Sequence, residues 1–582
     1  MLSTLDWLII ISSFLLYVIV GMRYSKTAGK DLDHFFLGGR NMGWFLAGVS
    51  LVATTFAADT PLAVAEIVGT NGIAGNWVWW SFLAGGMLTT FFFANLWRRS
   101  GVLTEVELIE LRYSGKEASF LRGFKAIYLG LLMNAIIIAW VNVAMKSILE
   151  VFFNCSSNEA LFYTALAMLL VAIYSSISGL MGVAVTDAIQ FFIAMTGCII
   201  LAIIVISSEK IGGIVGLKEK VNAVSPEAFN FLPSINSDVS SIGKSLGLSI
   251  ISFLSFVGIQ WWASWYPGAE PGGGGYVVQR MMSAKTEKDA VYATLFFQIA
   301  HYCIRPWPWI LVGLAAIVLY PGLDAEHIKL GYIYAMRDFL PNGLKGLLLV
   351  AFFAAYMSTI ATQLNWGASY LINDVYKRFL TPAASDRKLV AASRIMTFIL
   401  MVIGLAITTR IDSISGAWKF VMGCGAGLGL VLILRWYWWR INAWSEIAAT
   451  ITPFVIFSIL KIYNNTDLKD YEYIITVIGT TIVWLIITIA TPPVEDKHLK
   501  HFYDKIKPDG LWGKYAQNHN STHILYLFIC WISGIAFTYS MLFFIGKTIL
   551  MEWQQAMACA VVAIVSLLSL RFFLNKTNIL NG

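Results

Sequence analysis

The chain has 582 residues, 58% of them apolar and 13% charged, with a mean hydropathy of +0.70. That leaves too little polar surface for a soluble protein of this length, so the composition excludes one and describes a polytopic membrane protein. The net charge of +7 is spread over loops without a basic patch, which argues against nucleic acid; six scattered cysteines and seven unpaired histidines give no metal-ligand or haem spacing.

The first apolar segment, Leu5 to Met22, has Asp6 and no basic residue on its N-terminal side, while Arg23, Lys26, Lys30 and Arg40 follow it. This charge order predicts an uncleaved helix with its N-terminus outside. The segment from about 43 to 69 reads SLVATTFAADTP between Ser50 and Pro61. Pro61 removes a donor and frees carbonyls around residue 57, and Thr54, Thr55 and Thr60 offer alternatives to the helical ladder. Two readings fit: a packed proline kink, or a broken helix with unwound carbonyls near the bilayer midplane. Asp59 argues for the second, because an intramembrane carboxylate is costly without a partner or a task. The segment from about 76 to 97 opens with Asn76-Trp77-Val78-Trp79-Trp80, which suits an interfacial belt or a surface that stacks on a sugar face.

A basic connection from Arg98 to Lys125 precedes spans near 126 to 153 and 160 to 180. The connection from about 208 to 243 carries both charge signs and should lie outside. The next span starts near Ser245, runs through Gln260-Trp261-Trp262 and breaks at Tyr266-Pro267-Gly268-Ala269-Glu270-Pro271 and four glycines. No Gly-Lys-Ser/Thr follows, so the glycine run is not a phosphate loop. The segment from about 290 to 319 carries His301 and Arg305 ahead of Pro306 and Pro308. A guanidinium there is expensive and calls for Glu270 or Asp59 as partner. It serves either as half of a structural ion pair or as a fork that grips a hydroxyl-rich or carboxylate-bearing solute.

The stretch from Ala354 to Lys377 is apolar enough for a bilayer yet carries Ser358 and Thr359 in its middle. Ala355, Ser358, Thr359 and Thr362 follow the i, i+3, i+4, i+7 spacing, so one carbonyl and three hydroxyls share a face. Such a set suits a small cation; the alternative is hydroxyls that bond back to the helix or join it to a neighbour. Further spans are expected near 390 to 409, 415 to 436, 444 to 462, 472 to 490, 523 to 546 and 553 to 573, with Gly423, Gly425, Gly427 and Gly429 inviting close approach. The total is 15 spans, N-terminus outside and C-terminus inside, with most Lys and Arg in the loops so placed in the cytoplasm.

The small-small-x-x-Ser-Thr pattern, then Leu364-Asn365, then Asp374-x-Tyr376-Lys377, resembles the eighth core helix of the sodium:solute symporter family. Further similarity lies in Phe35 to Arg40, in Thr104 to Tyr113, in Tyr174 to Gln190 with its polar residues Thr186, Asp187 and Gln190, and in Tyr276 to Arg280, so that the resemblance covers about 35 to 465. It implies an all-α leucine-transporter fold, a five-plus-five inverted repeat with one extra N-terminal and about four extra C-terminal helices. The divisions expected are 1 to 42 (extra helix and loop), 43 to 208 (first repeat), 209 to 241 (external loop), 242 to 437 (second repeat) and 438 to 582 (extra helices). It also implies sodium ligation by the carbonyls of Ala53 and Phe56 opposite Ala355, Ser358 and Thr359. A second sodium at Asp187, Ser358 and Thr362 is possible, although Ala361 lacks one of the family's hydroxyls. Thr55, Asp59 and Thr60 fall where sugar-transporting members contact substrate, though none is identical to the residue expected there. Trp79, Gln260, Trp261, Trp262, Glu270, His301 and Arg305 complete the candidate substrate set.

The function so implied is sodium-coupled symport of a small polar solute through a lipid bilayer by alternating access, without enzymatic chemistry. A monosaccharide is the leading solute, and a carboxylated one such as an amino acid or sialic acid is the alternative. From another class, the chain could be a membrane sensor that keeps the transporter fold. A bacterial inner membrane is the expected location.

Overall fold

The computed structural model describes residues 3–233, 250–324, 327–411, 414–463, 471–516 and 521–580. Every regular element among them is helical, apart from two isolated bridges. Ten helices are long and apolar enough to cross a bilayer, and three bent pairs raise that to thirteen. The difference from the 15 expected spans lies in two places. The helix Ser157–Ile206 holds 50 residues, about 75 Å of rise against about 30 Å of hydrocarbon, and so contains two of the expected spans without a loop between them. It breaks at Gly179, whose φ is 58°; a Cβ there would lie 2.8 Å from Ala28 Cβ and 2.9 Å from the Phe35 carbonyl. The expected start near Ser245 lies outside the described residues, and the described remainder of that span, from Ile250 to Ala263, is too short to count alone.

The first core helix is broken, as the Thr, Asp and Pro content requires. Its halves, Trp44–Thr54 and Asp59–Asn71, meet at 58°. Pro61 sits in the first turn of the second half, where a missing N–H costs nothing. Between the halves, Ala57 N–H donates to Thr60 Oγ1 (3.2 Å) and Thr60 N–H donates to the Ala57 carbonyl (3.2 Å), a turn that replaces the helical ladder. The sixth core helix leaves helical geometry after Ala263 and resumes at Gly275–Ser283.

The segment expected to be one helix from 415 to 436 is also broken, into Ile414–Cys424 and Gly429–Tyr437. Its glycines admit the sixth helix's unwound backbone. A Cβ on Gly425 would lie 2.6 Å from the Trp265 carbonyl, and one on Gly429 would lie 2.1 Å from that of Trp262. Gly427 N–H donates to the Ala263 carbonyl (2.9 Å) and Trp265 N–H to that of Gly425 (3.2 Å), which satisfies groups the break has freed. The span expected from 76 to 97 is likewise bent, by 52° between Phe92 and Ala94.

The eighth core helix runs Leu344–Ser369 and continues as a wide turn to Leu380. Of its most apolar stretch 94% is buried, against 22% for Thr4–Ala28, so it is packed on all sides and the N-terminal helix faces lipid. One carboxylate joins the two. Asp6 closes a capping box with Ser3, and its Oδ1 accepts from Gly343 N–H (2.8 Å) and Gly346 N–H (2.6 Å) at the start of the eighth helix. Both helices therefore begin at the same face.

At the opposite face the basic connection folds into a charged clasp. Lys125 Nζ lies 2.6 Å from Glu446 Oε2, Arg122 Nη2 lies 2.6 Å from Asp374 Oδ1, and Gly275 N–H donates to Glu105 Oε2 (2.7 Å). Glu110 accepts from Arg378, Ser119 and Arg122. Burial works against its charge, yet these hydrogen bonds hold the carboxyl down at about 2.

Candidate functional site

The hydroxyl face of the eighth helix lies against the break in the first. Thr359 Oγ1 donates to the Thr54 carbonyl (2.8 Å), and Thr362 Oγ1 pairs with Thr54 Oγ1 (3.1 Å). Ser358 Oγ is buried near the Asp187 carboxylate but makes no hydrogen bond of good geometry. Ala53, Phe56 and Ala355 are buried beside it, and the Ala53 carbonyl accepts the Phe56 N–H (3.0 Å), which leaves it a second lone pair. The eighth helix thus meets the first at Thr54, next in the chain to Ala53 and two residues before Phe56. Thr54 is a residue the sequence pattern did not single out for sodium. A buried hydroxyl without a partner costs about 1–3 kcal/mol, and a sodium ion ligated by Ser358 would remove that cost.

The possible second sodium set is occupied differently. Asp187 Oδ2 accepts from Ser50 Oγ (2.7 Å) and lies 3.6 Å from Arg280 Nη2, with both charged side chains fully buried. Arg280 Nη2 donates to Thr362 Oγ1 (2.7 Å), and its Nε to Ser50 Oγ (3.3 Å). A guanidinium therefore supplies the positive charge between Asp187 and Thr362. In the sequence Arg280 stood only at the end of the Tyr276 to Arg280 similarity; the cue for its role was a cation following the glycine run, with Asp187 given to a second sodium and to no countercharge in the chain.

A cavity of about 120 Å³ opens beside these clusters, lined among others by Thr55, Asp59, Thr60, Trp79, His301 and Arg305. Tyr266, Tyr276, Gln363 and Trp418 also line it and were not anticipated. Arg305 donates to the Val52 carbonyl (3.2 Å) and to Thr55 Oγ1 (2.9 Å), and stacks over Trp309 at 5.3 Å. Its Nη2 lies 3.2 Å from His301 Nε2, while His301 Nδ1 lies 3.1 Å from Thr55 Oγ1. A guanidinium only donates, so Nε2 is the bare nitrogen and Nδ1 carries the hydrogen given to Thr55. Trp79 stacks on Tyr302 and donates to Asn76 Oδ1 (2.9 Å), turning its face toward the cavity's aromatic wall.

The expected partners of Arg305 do not pair with it. Among the described residues no ion pair within 4 Å joins Arg305 to Asp59 or to Glu270. The Glu270 carboxylate instead accepts from Gly268 N–H (3.1 Å) beside its own loop. Gln260, Trp261, Trp262 and Glu270 lie outside the cavity lining. Gln260 donates to the Val78 carbonyl (2.7 Å), Trp261 packs on Trp531 with ring centres 5.6 Å apart, and Trp262 donates to the Gly258 carbonyl (2.7 Å). Gln260, Trp261 and Trp262 give their polar groups to backbone carbonyls beside the break, while Glu270 keeps one buried carboxylate oxygen without a hydrogen-bond partner.

Known proteins resemble the chain over most of its length. The sodium/glucose cotransporter of Vibrio parahaemolyticus is 25% identical over 462 residues, covering 75% of this chain and 81% of its own. The sodium/proline symporter of Salmonella typhimurium is 25% identical over 505 residues, covering 81% and 91%. A solved Na+-coupled sialic acid symporter in its substrate-bound outward-open state superposes with a TM-score of 0.67 at 20% identity, covering 85% of this chain and 99% of that one. The fold is thus the inverted-repeat leucine-transporter fold. A profile of the sodium:solute symporter family matches residues 35–452. The chain belongs to the sodium:solute symporter family, a family of sodium-coupled membrane transporters.

Proposed function

We propose that the chain imports a small polar organic solute with one sodium ion per cycle by alternating access, the ion held by Ala53, Phe56, Ala355, Ser358 and Thr359. The observation that carries this reading is Thr359 Oγ1 on the Thr54 carbonyl at the break of the first helix, with Ser358 Oγ buried one residue away and without a hydrogen bond of good geometry. A single ion suffices for concentrative uptake. One charge crossing about 100 mV gains roughly 2.3 kcal/mol and a tenfold gradient about 1.4, together enough for about 500-fold accumulation. Arg280 supports the count of one, since it already neutralises Asp187.

The solute would lie in the cavity against Thr55, Asp59, Thr60, Trp79, His301 and Arg305. Arg305 favours a carboxylate; the aromatic wall of Trp79, Tyr266 and Trp418 is the specific feature that favours a monosaccharide as second reading. The N-terminus outside, the C-terminus inside and a bacterial inner membrane complete the proposal, as do repeats at 43 to 208 and 242 to 437, on the strength of loop charge and the paired breaks. Purified protein in vesicles with an inward sodium gradient tests it. Solute accumulation should vanish when potassium replaces sodium and should demand more sodium in Ser358→Ala; accumulation indifferent to both changes would refute it.

A further inference from the structure

We propose that the central cavity selects an ammonium–carboxylate zwitterion, with Arg305 facing the carboxylate and Asp59 the cationic nitrogen; this rests on the symport reading above. Both side chains line the same cavity, both are buried, and among the described residues they form no ion pair within 4 Å. Asp59 Oδ1 and Arg305 Nε each lack a hydrogen-bond partner. The site therefore holds an acid and a guanidinium on the wall of one cavity, kept apart, and among the described residues neither has an ion-pair partner within 4 Å.

The broken helix explains how these charges are tolerated. Arg305 binds a carbonyl in the last turn of Trp44–Thr54, the negative end of that half, while Asp59 opens Asp59–Asn71 at the positive end of the other. Helix ends account for the presence of the charges but not for the bonds left unmade, each of which carries a desolvation cost. A neutral sugar would leave both charges uncompensated, and a simple monocarboxylate would leave Asp59 so. A zwitterion compensates both and adds no net charge, so a low-dielectric pocket accepts it at least expense.

Size and lining agree with this class. The volume of about 120 Å³ is of the order of an apolar cavity of about 150 Å³ that takes up benzene, the scale of a small solute. The walls include Trp79, Phe82, Tyr266, Tyr276 and Trp418. Aromatic faces attract an ammonium, most strongly an alkylated one that is weakly hydrated, so secondary and quaternary nitrogens fit beside Asp59 as well as primary ones.

The test uses the full chain in vesicles under an inward sodium gradient, offered three pools in turn: the common amino acids with glycine betaine, neutral hexoses, and short monocarboxylates. Solutes retained inside are identified by mass spectrometry, and binding of radioactive sodium is measured in parallel. The proposal expects sodium-driven retention from the first pool alone, with the retained compound distinguishing a primary from an alkylated nitrogen. It further expects Asp59→Asn and Arg305→Lys each to raise the half-saturating concentration of that solute at least tenfold while sodium binding persists, which also shows that the variants fold. Retention of hexoses or monocarboxylates alone overturns the zwitterion and leaves symport standing, as does sodium binding with no retention from the first pool. Failure to bind sodium overturns the symport reading itself. An Asp59→Asn variant that binds sodium and keeps wild-type solute affinity also overturns the proposal.

Discussion

Ser358 and Thr362 stand one turn apart on the same buried helix, both hydroxyls, and they differ in what they touch. Ser358 Oγ lies near the Asp187 carboxylate without a hydrogen bond of good geometry, whereas Thr362 Oγ1 accepts from Arg280 and pairs with Thr54. The first hydroxyl is buried without such a bond, and the second is satisfied. A second sodium at Asp187 and Thr362 would sit within about 4 Å of a fixed guanidinium, a repulsion of about 4 kcal/mol at an effective dielectric of 20. The difference teaches that hydroxyl spacing on a helix marks where an ion could bind, and that the partners already present decide where one does.

The comparison can be broken first at Arg280. Asp187→Asn leaves a buried guanidinium unpaired and should destabilise the protein by about 3–5 kcal/mol, read as a fall in thermal midpoint, while Asp187→Asn with Arg280→Gln should recover most of it. If the double variant is no better than the single one, the pair is not what holds that pocket. Next comes the Ser358 position. Ser358→Ala and Thr359→Ala each remove an oxygen while keeping helix propensity, and should raise the sodium concentration for half-maximal uptake by about 10- to 100-fold.

Thr362→Ala sharpens the contrast, because its hydroxyl is spent on Arg280; sodium dependence should move less than about threefold, a few tenths of the loss at a direct ligand. The smallest effect concerns the clasp. Glu110→Gln should lower the thermal midpoint by a few degrees. The carboxyl is held below its ordinary 4.5, so that stabilisation is complete above about pH 4.5 and is lost only as the pH falls through about 2. The gap between variant and wild type should therefore stay constant from about pH 5 to 8; a gap that changes there would assign the titration elsewhere.

What the sequence made legible was local. Pro61 with its flanking threonines, and the Pro-Gly run after Tyr266, are backbone signals that need no partner, and both breaks lie where those residues stand. The hydroxyl face of Ala355, Ser358, Thr359 and Thr362 follows from helical period in the same way. Pairings between distant segments were not legible. Arg280 meets Asp187 and Arg305 meets Thr55 and Val52 through packing of separate helices, and no periodicity encodes which acid or carbonyl a buried arginine will find. Charge alone offers Glu270 or Asp59 to Arg305; neither pairs with it within 4 Å, and the unwound loop turns Glu270 to its own Gly268 N–H. The glycines from Gly423 to Gly429 announced a close approach but not the partners: Gly425 and Gly429 meet the backbone of Trp265 and Trp262, while Gly423 faces Phe457 and Gly427 faces Thr480.

The central claim, one sodium bound at the break and one solute beside it, is tested most directly by the flux ratio. Radioactive sodium and labelled solute entering the same vesicles are counted together, in wild type and in Ser358→Ala. The account predicts one sodium per solute in both, with the variant reaching it only at about 10- to 100-fold higher sodium. A wild-type ratio of two, or solute entry unaccompanied by sodium, would contradict it.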